Sequence, residues 1–163
     1  MTWHLVYTKP RKESLALEKL SEQGLISYLP LKPVERIRRG KRQVLQEPLF
    51  QRYLFIQADD RFLMRRHAIR STPGVSHLLQ IGEIDTPVDD ELIVFIRSLE
   101  AGHQDLVEAY FKPNNVVKIT QGIYHDLEAI FVEDQGEQRA LLLIQLLQTD
   151  THISIDKHHL SKI

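Results

Sequence analysis

The sequence has no cysteine, which removes disulfides, thiol nucleophiles and cysteine-based zinc sites. No apolar run approaches the ~20 residues that a membrane helix needs. The most extensive is Ala140–Ile144, carried past Gln145 by Leu146 and Leu147. Met1-Thr2-Trp3-His4 lacks the basic region and apolar stretch of a signal peptide, so a cytoplasmic protein is expected. The eight histidines include no His-x-x-x-His or His-x-x-Glu-His spacing, and no metal is expected. A Gly-x-Ser-x-Gly elbow, a glycine-rich phosphate loop and a paired-carboxylate motif are also missing. Asp59-Asp60 reads as a turn, with a nuclease only a distant rival. The chain is therefore read as a non-enzyme that needs no cofactor.

What the sequence does have is a division of charge. Its 163 residues carry a formal net charge of −1, but residues 1–80 hold +8 and residues 81–163 hold −9. Such asymmetry points to a polyanionic partner for the basic half, or to two halves that meet. With 42% hydrophobic and 26% charged residues, the composition is that of a globular chain.

Trp3, Leu5 and Tyr7 alternate with His4, Val6 and Thr8 as in a half-buried strand. Arg11–Gln23 has a helical stripe that stops at Gly24. Leu25–Leu31 reads as extended, Val34–Gln46 as a hairpin around Arg39-Gly40-Lys41-Arg42, and Tyr53–Ala58 as an apolar strand. Arg61–Arg70 reads as a helix, followed by a turn at Thr72-Pro73-Gly74 and a strand over Val75–Ile81. Thr86 suits an N-cap and Pro87 a first helical position, ahead of the stripe Leu92, Phe95, Ile96 and Leu99. The expected organisation is an α+β domain over residues 1–100, a linker over 101–115, and a small unit over 116–163. In that unit, Val116–Thr120, Glu128–Val132 and Ile153–Ile155 read as strands. Ala140–Leu147 is compatible with a helix or a buried strand.

Three basic groups fall in the first half: Lys9, Arg11, Lys12 and Lys19; Arg36, Arg38, Arg39, Lys41 and Arg42; Arg61, Arg65, Arg66 and Arg70. Such side chains contact phosphate and make affinity fall with salt. The alternative is a solvated surface. Tyr7, Phe50, Tyr53 and Phe55 are open to three readings: stacked bases, core, or an anchor for a helical protein partner. Glu47 and Arg139 each oppose the charge of their own half, which suits a pair between the halves.

Together these segments resemble a known family. An opening Trp-x-x-x-Tyr-x-Lys, "RIRRGKR", "EPLFQRYLF" and "TPGVSHLLQIG" are similar to the NusG N-terminal domain. "VVKITQGIYHDLEAIF" is similar to the KOW motif of that family's C-terminal domain. Arg-Gly-Lys-Arg before Glu-Pro-Leu-Phe, the short linker and "EAIFVEDQGEQRALLLIQLL" resemble the RfaH-type antitermination branch more than housekeeping NusG.

The resemblance implies an N-terminal antiparallel sheet flanked by helices, and a KOW unit with two forms: an α-helical hairpin when autoinhibited, a five-stranded barrel when released. It implies a monomeric transcription elongation and antitermination factor that docks Tyr7, Phe50, Tyr53 and Phe55 on the β′ clamp helices of RNA polymerase. It implies binding of exposed single-stranded non-template DNA at a pause element through Lys9, Arg11, Lys12, Lys19, Gln23, Arg70 and Thr72. Arg65, Arg66 and His67 align with a motif that touches the β gate loop. Ile93, Leu99 and Phe131 imply an interdomain contact, Glu47 and Arg139 an interdomain salt bridge, and the released barrel a small-subunit ribosomal protein as partner. Pro73 replaces an arginine of the RfaH-type pattern, and Arg65-Arg66-His67 replaces a His-Thr-Thr-like one. The rival readings are a housekeeping NusG-type factor with a permanent barrel, and a KOW protein that binds the ribosome or RNA.

Overall fold

The computed structural model describes residues 2–81, 84–85, 87–101 and 126–157. β1 (Thr2–Thr8) is followed by α1 (Glu13–Glu22), β2 (Ser27–Tyr28), β3 (Leu31–Arg38), β4 (Lys41–Pro48) and β5 (Tyr53–Gln57). Then come α2 (Phe62–Arg70), β6 (Val75–Leu78), β7 (Gln80–Ile81), β8 (Ile84–Asp85), β9 (Pro87–Asp89) and α3 (Asp90–Ala101). Residues 126–131 form a helix, α4, and α5 spans Gly136–Lys157.

The central sheet runs β2-β5-β1-β6, with β9 also on β1, and every pairing is antiparallel. β1 serves two neighbours along one edge: Thr2–His4 pair with β9, and Val6–Thr8 pair with β6. Alternation along the strands separates two cores. Val6, Leu54 and Ile56 pack with Ala16 and Leu20 of α1 and Ile69 of α2. Trp3, Leu5 and Phe55 point the other way, into a cluster with Ile93, Phe95 and Ile96 of α3. The layers are thus α1 and α2, the sheet, then α3 with α4 and α5.

The N-terminal elements follow the periodicities, with two differences. The strand expected over Val75–Ile81 divides into β6 and β7. The helix expected to start near Pro87 starts instead at Asp90. Residues 87–89 are drawn into an edge strand, with His4 opposite Pro87 and Trp3 opposite Val88, and an edge tolerates proline because its N–H side needs no partner. Trp3 Nε1 donates to Asp90 Oδ1 at 2.9 Å and ties the helix start to β1.

The C-terminal segment departs further. Glu128–Val132 and Ile153–Ile155, expected as strands, fall in helical segments, apart from Val132 in the turn after α4. The reason is which residues find a core. Leu127, Ile130 and Phe131 are spaced i, i+3, i+4, and Ala140, Leu143 and Leu147 are spaced i, i+3, i+7. All six meet the α3 side of the sheet, whereas a strand would turn alternate members away. The expected linker beyond Ala101, strand Val116–Thr120 and turn at Gly122 lie outside the described residues. Among the described residues no helix is long and apolar enough to cross a membrane.

Candidate functional site: an aromatic face beneath two helices, beside a basic turn

The register of β1 and β5 sets Tyr7 opposite Tyr53 and Leu5 opposite Phe55, so the aromatics of both strands share one face. The Tyr7 and Tyr53 rings lie 5.0 Å apart. Phe50, from the turn before β5, meets Phe55 edge-on at 6.2 Å, and Tyr28 stacks on Phe55 at the same spacing. Arg52 holds this turn. Its φ is +70°, its N–H donates to the Glu13 carboxylate at 3.1 Å, and its Nε donates to the Thr8 carbonyl at 3.0 Å. That geometry places the guanidinium 4.1 Å from the Tyr7 ring centre, a cation–π contact that fixes the ring. His77 closes the row on the other side of Tyr7, at 4.8 Å. Burial, with a smaller contribution from Tyr7, pushes the Tyr53 phenol above its usual range.

The helices α4 and α5 cover this face. Phe50 and Phe55, 1% and 0% exposed, share one cluster with Leu127, Ile130, Ala140, Leu143 and Leu147. Ile93 and Leu99 are buried in the same cluster, and Phe131 packs against it. Tyr7 and Tyr53 are half-buried along a cleft of about 300 Å³ whose other wall is Glu137, Ala140, Leu141 and Ile144. The seam is also hydrogen-bonded: Gln51 N–H donates to the Gly136 carbonyl at 3.1 Å, and Lys32 Nζ donates to the Phe131 carbonyl.

Arg139 is 0% exposed, yet its partners are not those expected. Its Nε donates to the Leu49 carbonyl and its Nη1 to the Glu133 carbonyl, while Nη2 has no partner among the described residues. The expected Glu47–Arg139 salt bridge is not formed. Arg36, on the same hairpin face as Glu47, takes that carboxylate in a two-pronged pair at 3.1 Å. Arg139 is left to satisfy itself on backbone carbonyls. Desolvation lowers its pKa, which the more distant Glu47 partly offsets. Desolvation and then Arg139 lower that of Lys32.

The basic residues of the β1–α1 turn meet the turn after α2. Lys9 N–H donates to the Gly74 carbonyl at 2.8 Å. Gln23 Nε2 donates to Thr72 Oγ1 at 2.8 Å, and that hydroxyl donates to the Ala68 carbonyl. Lys9, Arg11, Lys12 and Gln23 are exposed there and Lys19 is half-buried, paired to Glu22 at 3.3 Å. Thr72 is buried, so it orients Gln23 instead of presenting its own hydroxyl. Arg65 pairs with Asp59 at 3.4 Å and donates to the Gln23 carbonyl, which commits it to the fold. Arg66 and Arg70 line an open cleft of about 300 Å³ with His77, and His67 is exposed. Among the described residues no three His, Asp or Glu side chains gather as a metal site would need.

Arg52, Tyr28 and His77 belong to the aromatic face, and sequence reasoning missed them. The alternation of β6 carries a signal for His77, but its place beside Tyr7 depends on strand pairing across 70 residues.

The profile of the family described as transcription termination factor NusG matches residues 1–97. The chain belongs to the NusG family. A NusG relative, the transcription termination/antitermination protein of Thermus thermophilus, is 23% identical over 173 aligned residues and spans 94% of both chains. A solved structure, "Domain interaction in Thermotoga maritima NusG", aligns with 63% of this chain and 59% of that one, at 21% identity and a TM-score of 0.43. The NusG match contains the whole aromatic face and the basic turn, and ends before α4 and α5.

Proposed function

We propose that this member of the NusG family is an RfaH-type antitermination factor. It binds RNA polymerase through Tyr7, Phe50, Tyr53 and Phe55, reads an exposed non-template strand through the basic turn, and suppresses pausing and termination. The observation that carries this reading is the seating of α4 and α5 on the aromatic face. A rigid apolar patch sized for helices is a natural mount for the helices of a partner, and here two helices of the same chain occupy it.

The basic turn favours a nucleic-acid partner. Lys9, Arg11 and Lys12 share one short connection, and Gln23 beside them is held by Thr72. Phosphate contacts position a strand, and amide donors read its bases. DNA engagement then releases the helices and frees the patch; the released KOW unit refolds to a barrel that recruits the ribosome. Arg139 bound to backbone carbonyls suits such a release, since among the described residues the seam holds no strong charge pair.

Pausing by purified bacterial RNA polymerase tests the proposal. The full chain is expected to shorten pauses at saturating protein, and Tyr53→Ala to abolish the effect while single-stranded DNA binding stays intact. No change in elongation with the unaltered chain would reject it. A permanent barrel, as in housekeeping NusG, predicts a strand spectrum for residues 113–163 both alone and within the full chain.

A further inference from the structure

The cleft over Tyr7 and Tyr53 belongs to neither half of the chain alone. One wall is Tyr7, Pro10, Gln51, Arg52 and Tyr53, and the other is α5. On α5, Glu137, Ala140, Leu141 and Ile144 are spaced i, i+3, i+4 and i+7. One helical stripe therefore carries a carboxylate at its head and an apolar body after it. Lifting α5 removes that wall, so the cleft exists only while the helix is seated.

Its charges are balanced. Among the described residues around it, Arg52 is the cation and Glu137 the anion, one on each wall. Arg52 is fixed in advance: its φ is +70°, its Nε is engaged with the Thr8 carbonyl at 3.0 Å, and its guanidinium lies over Tyr7. Glu137 is exposed and has no ion-pair partner among the described residues. The phenols of Tyr7 and Tyr53 add hydroxyls, that of Tyr53 kept protonated by burial. A volume of about 300 Å³ lies at the small end of ligand pockets, which run roughly 300–1,000 Å³.

We infer that this cleft binds a free α-amino acid with an apolar side chain, which clasps α5 to the aromatic face. A ligand of one charge leaves either Arg52 or Glu137 without a counter-ion, and a zwitterion meets both. Its carboxylate takes the guanidinium, its ammonium takes the Glu137 carboxylate, and its side chain lies along Ala140, Leu141 and Ile144. A segment of peptide chain lacks the two free charges on one carbon that the site demands. Because the ligand touches both walls, it binds the seated arrangement and not the released one, so its affinity adds to the seating of α5. The inference deepens the proposed function and rests on it for its consequence: under that reading the amino acid delays release of the aromatic face.

Hydrogen exchange by NMR on the full chain tests this without RNA polymerase. The probes are L-phenylalanine, L-leucine and L-valine. With a dissociation constant of about 1 mM, a probe at about 10 mM slows the Gln51 amide about tenfold, since that amide is bonded to the Gly136 carbonyl of α5. At least one probe is expected to do so while the β1–β5 ladder keeps its rates. N-acetyl-L-phenylalanine and phenethylamine, each lacking one charge, are expected to have no such effect. Glu137→Gln is expected to abolish the response. Leu141→Trp, at a position 55% exposed, fills the mouth of the cleft and is expected to abolish the response with Gln51 protection retained; if it unseats α5, Glu137→Gln decides. No slowing by any of the three probes, an equal response to the N-acetyl compound, or a response that survives Glu137→Gln would overturn the inference. A chain that answers the amino acid but leaves pausing unchanged keeps the site and loses the functional reading; the reverse result loses the site alone.

Discussion

Leu143→Ala isolates the seating of α5 on the aromatic face. Leu143 is 0% exposed and sits in the cluster that holds Phe50 and Phe55. Truncating such a leucine costs about 2–4 kcal/mol, the lost transfer energy plus the cavity left behind. Alanine is a better helix former than leucine, so the cost falls on docking and not on the helix. That amounts to roughly a 30- to 1000-fold shift toward the undocked arrangement. The amide of Gln51 reports it directly, because its partner is the Gly136 carbonyl at the start of α5. Hydrogen exchange by NMR on the full chain is expected to show Gln51 exchanging about tenfold faster or more, while amides of the β1–β5 ladder keep their protection. Leu141→Ala, at the open mouth of the Tyr7–Tyr53 cleft and 55% exposed, removes less buried surface and is expected to accelerate Gln51 far less. Unaltered Gln51 protection in Leu143→Ala, or equal acceleration in both variants, would refute the claim that this cluster holds the helices down.

Replacing Lys9, Arg11 and Lys12 by alanine is expected to weaken single-stranded DNA binding and flatten its salt slope by about 2, read by anisotropy; an unchanged slope would place the strand elsewhere. Gly74→Ala is expected to cost about 2 kcal/mol or more in thermal melting, since a left-handed residue carries a Cβ penalty. Here φ is +88°, and that Cβ would sit 3.0 Å from the Ala16 nitrogen and 3.1 Å from the Lys12 carbonyl. Tyr28 is held protonated by burial and by its hydrogen bond to Glu100, which raise its pKa above the ordinary value of 10.0. A raised phenol pKa means the folded chain binds the proton more tightly, so its stabilisation is complete below pH 10.0 and declines as pH rises beyond it. Tyr28→Phe is therefore expected to move the alkaline unfolding midpoint, followed by circular dichroism, to higher pH.

The N-terminal elements were legible because each buries one face, and burial imprints a period on the residues. β1, β5, α1 and α2 lie within a few residues of where alternation or helical spacing puts them. Pro87 was misleading because a local preference for a helix start lost to pairing with β1, a contact across more than 80 residues. The charges of Glu47 and Arg139 suggest a pair that does not form. Charge sign cannot say which cation arrives first, and Arg36 on the neighbouring strand does.

The amino-acid order by itself determined the two-sided sheet, the clustering of cations in the first half and the aromatic set on β1 and β5. All of these follow from alternation, turn chemistry and charge, which act between near neighbours. Only the tertiary structure decided that residues 126–131 and 136–157 are helical and that the aromatics are covered. The C-terminal apolar residues satisfy a strand pattern and a helix pattern in different subsets. Which subset is buried depends on the surface offered to it, and that surface is built by residues roughly 90 positions away.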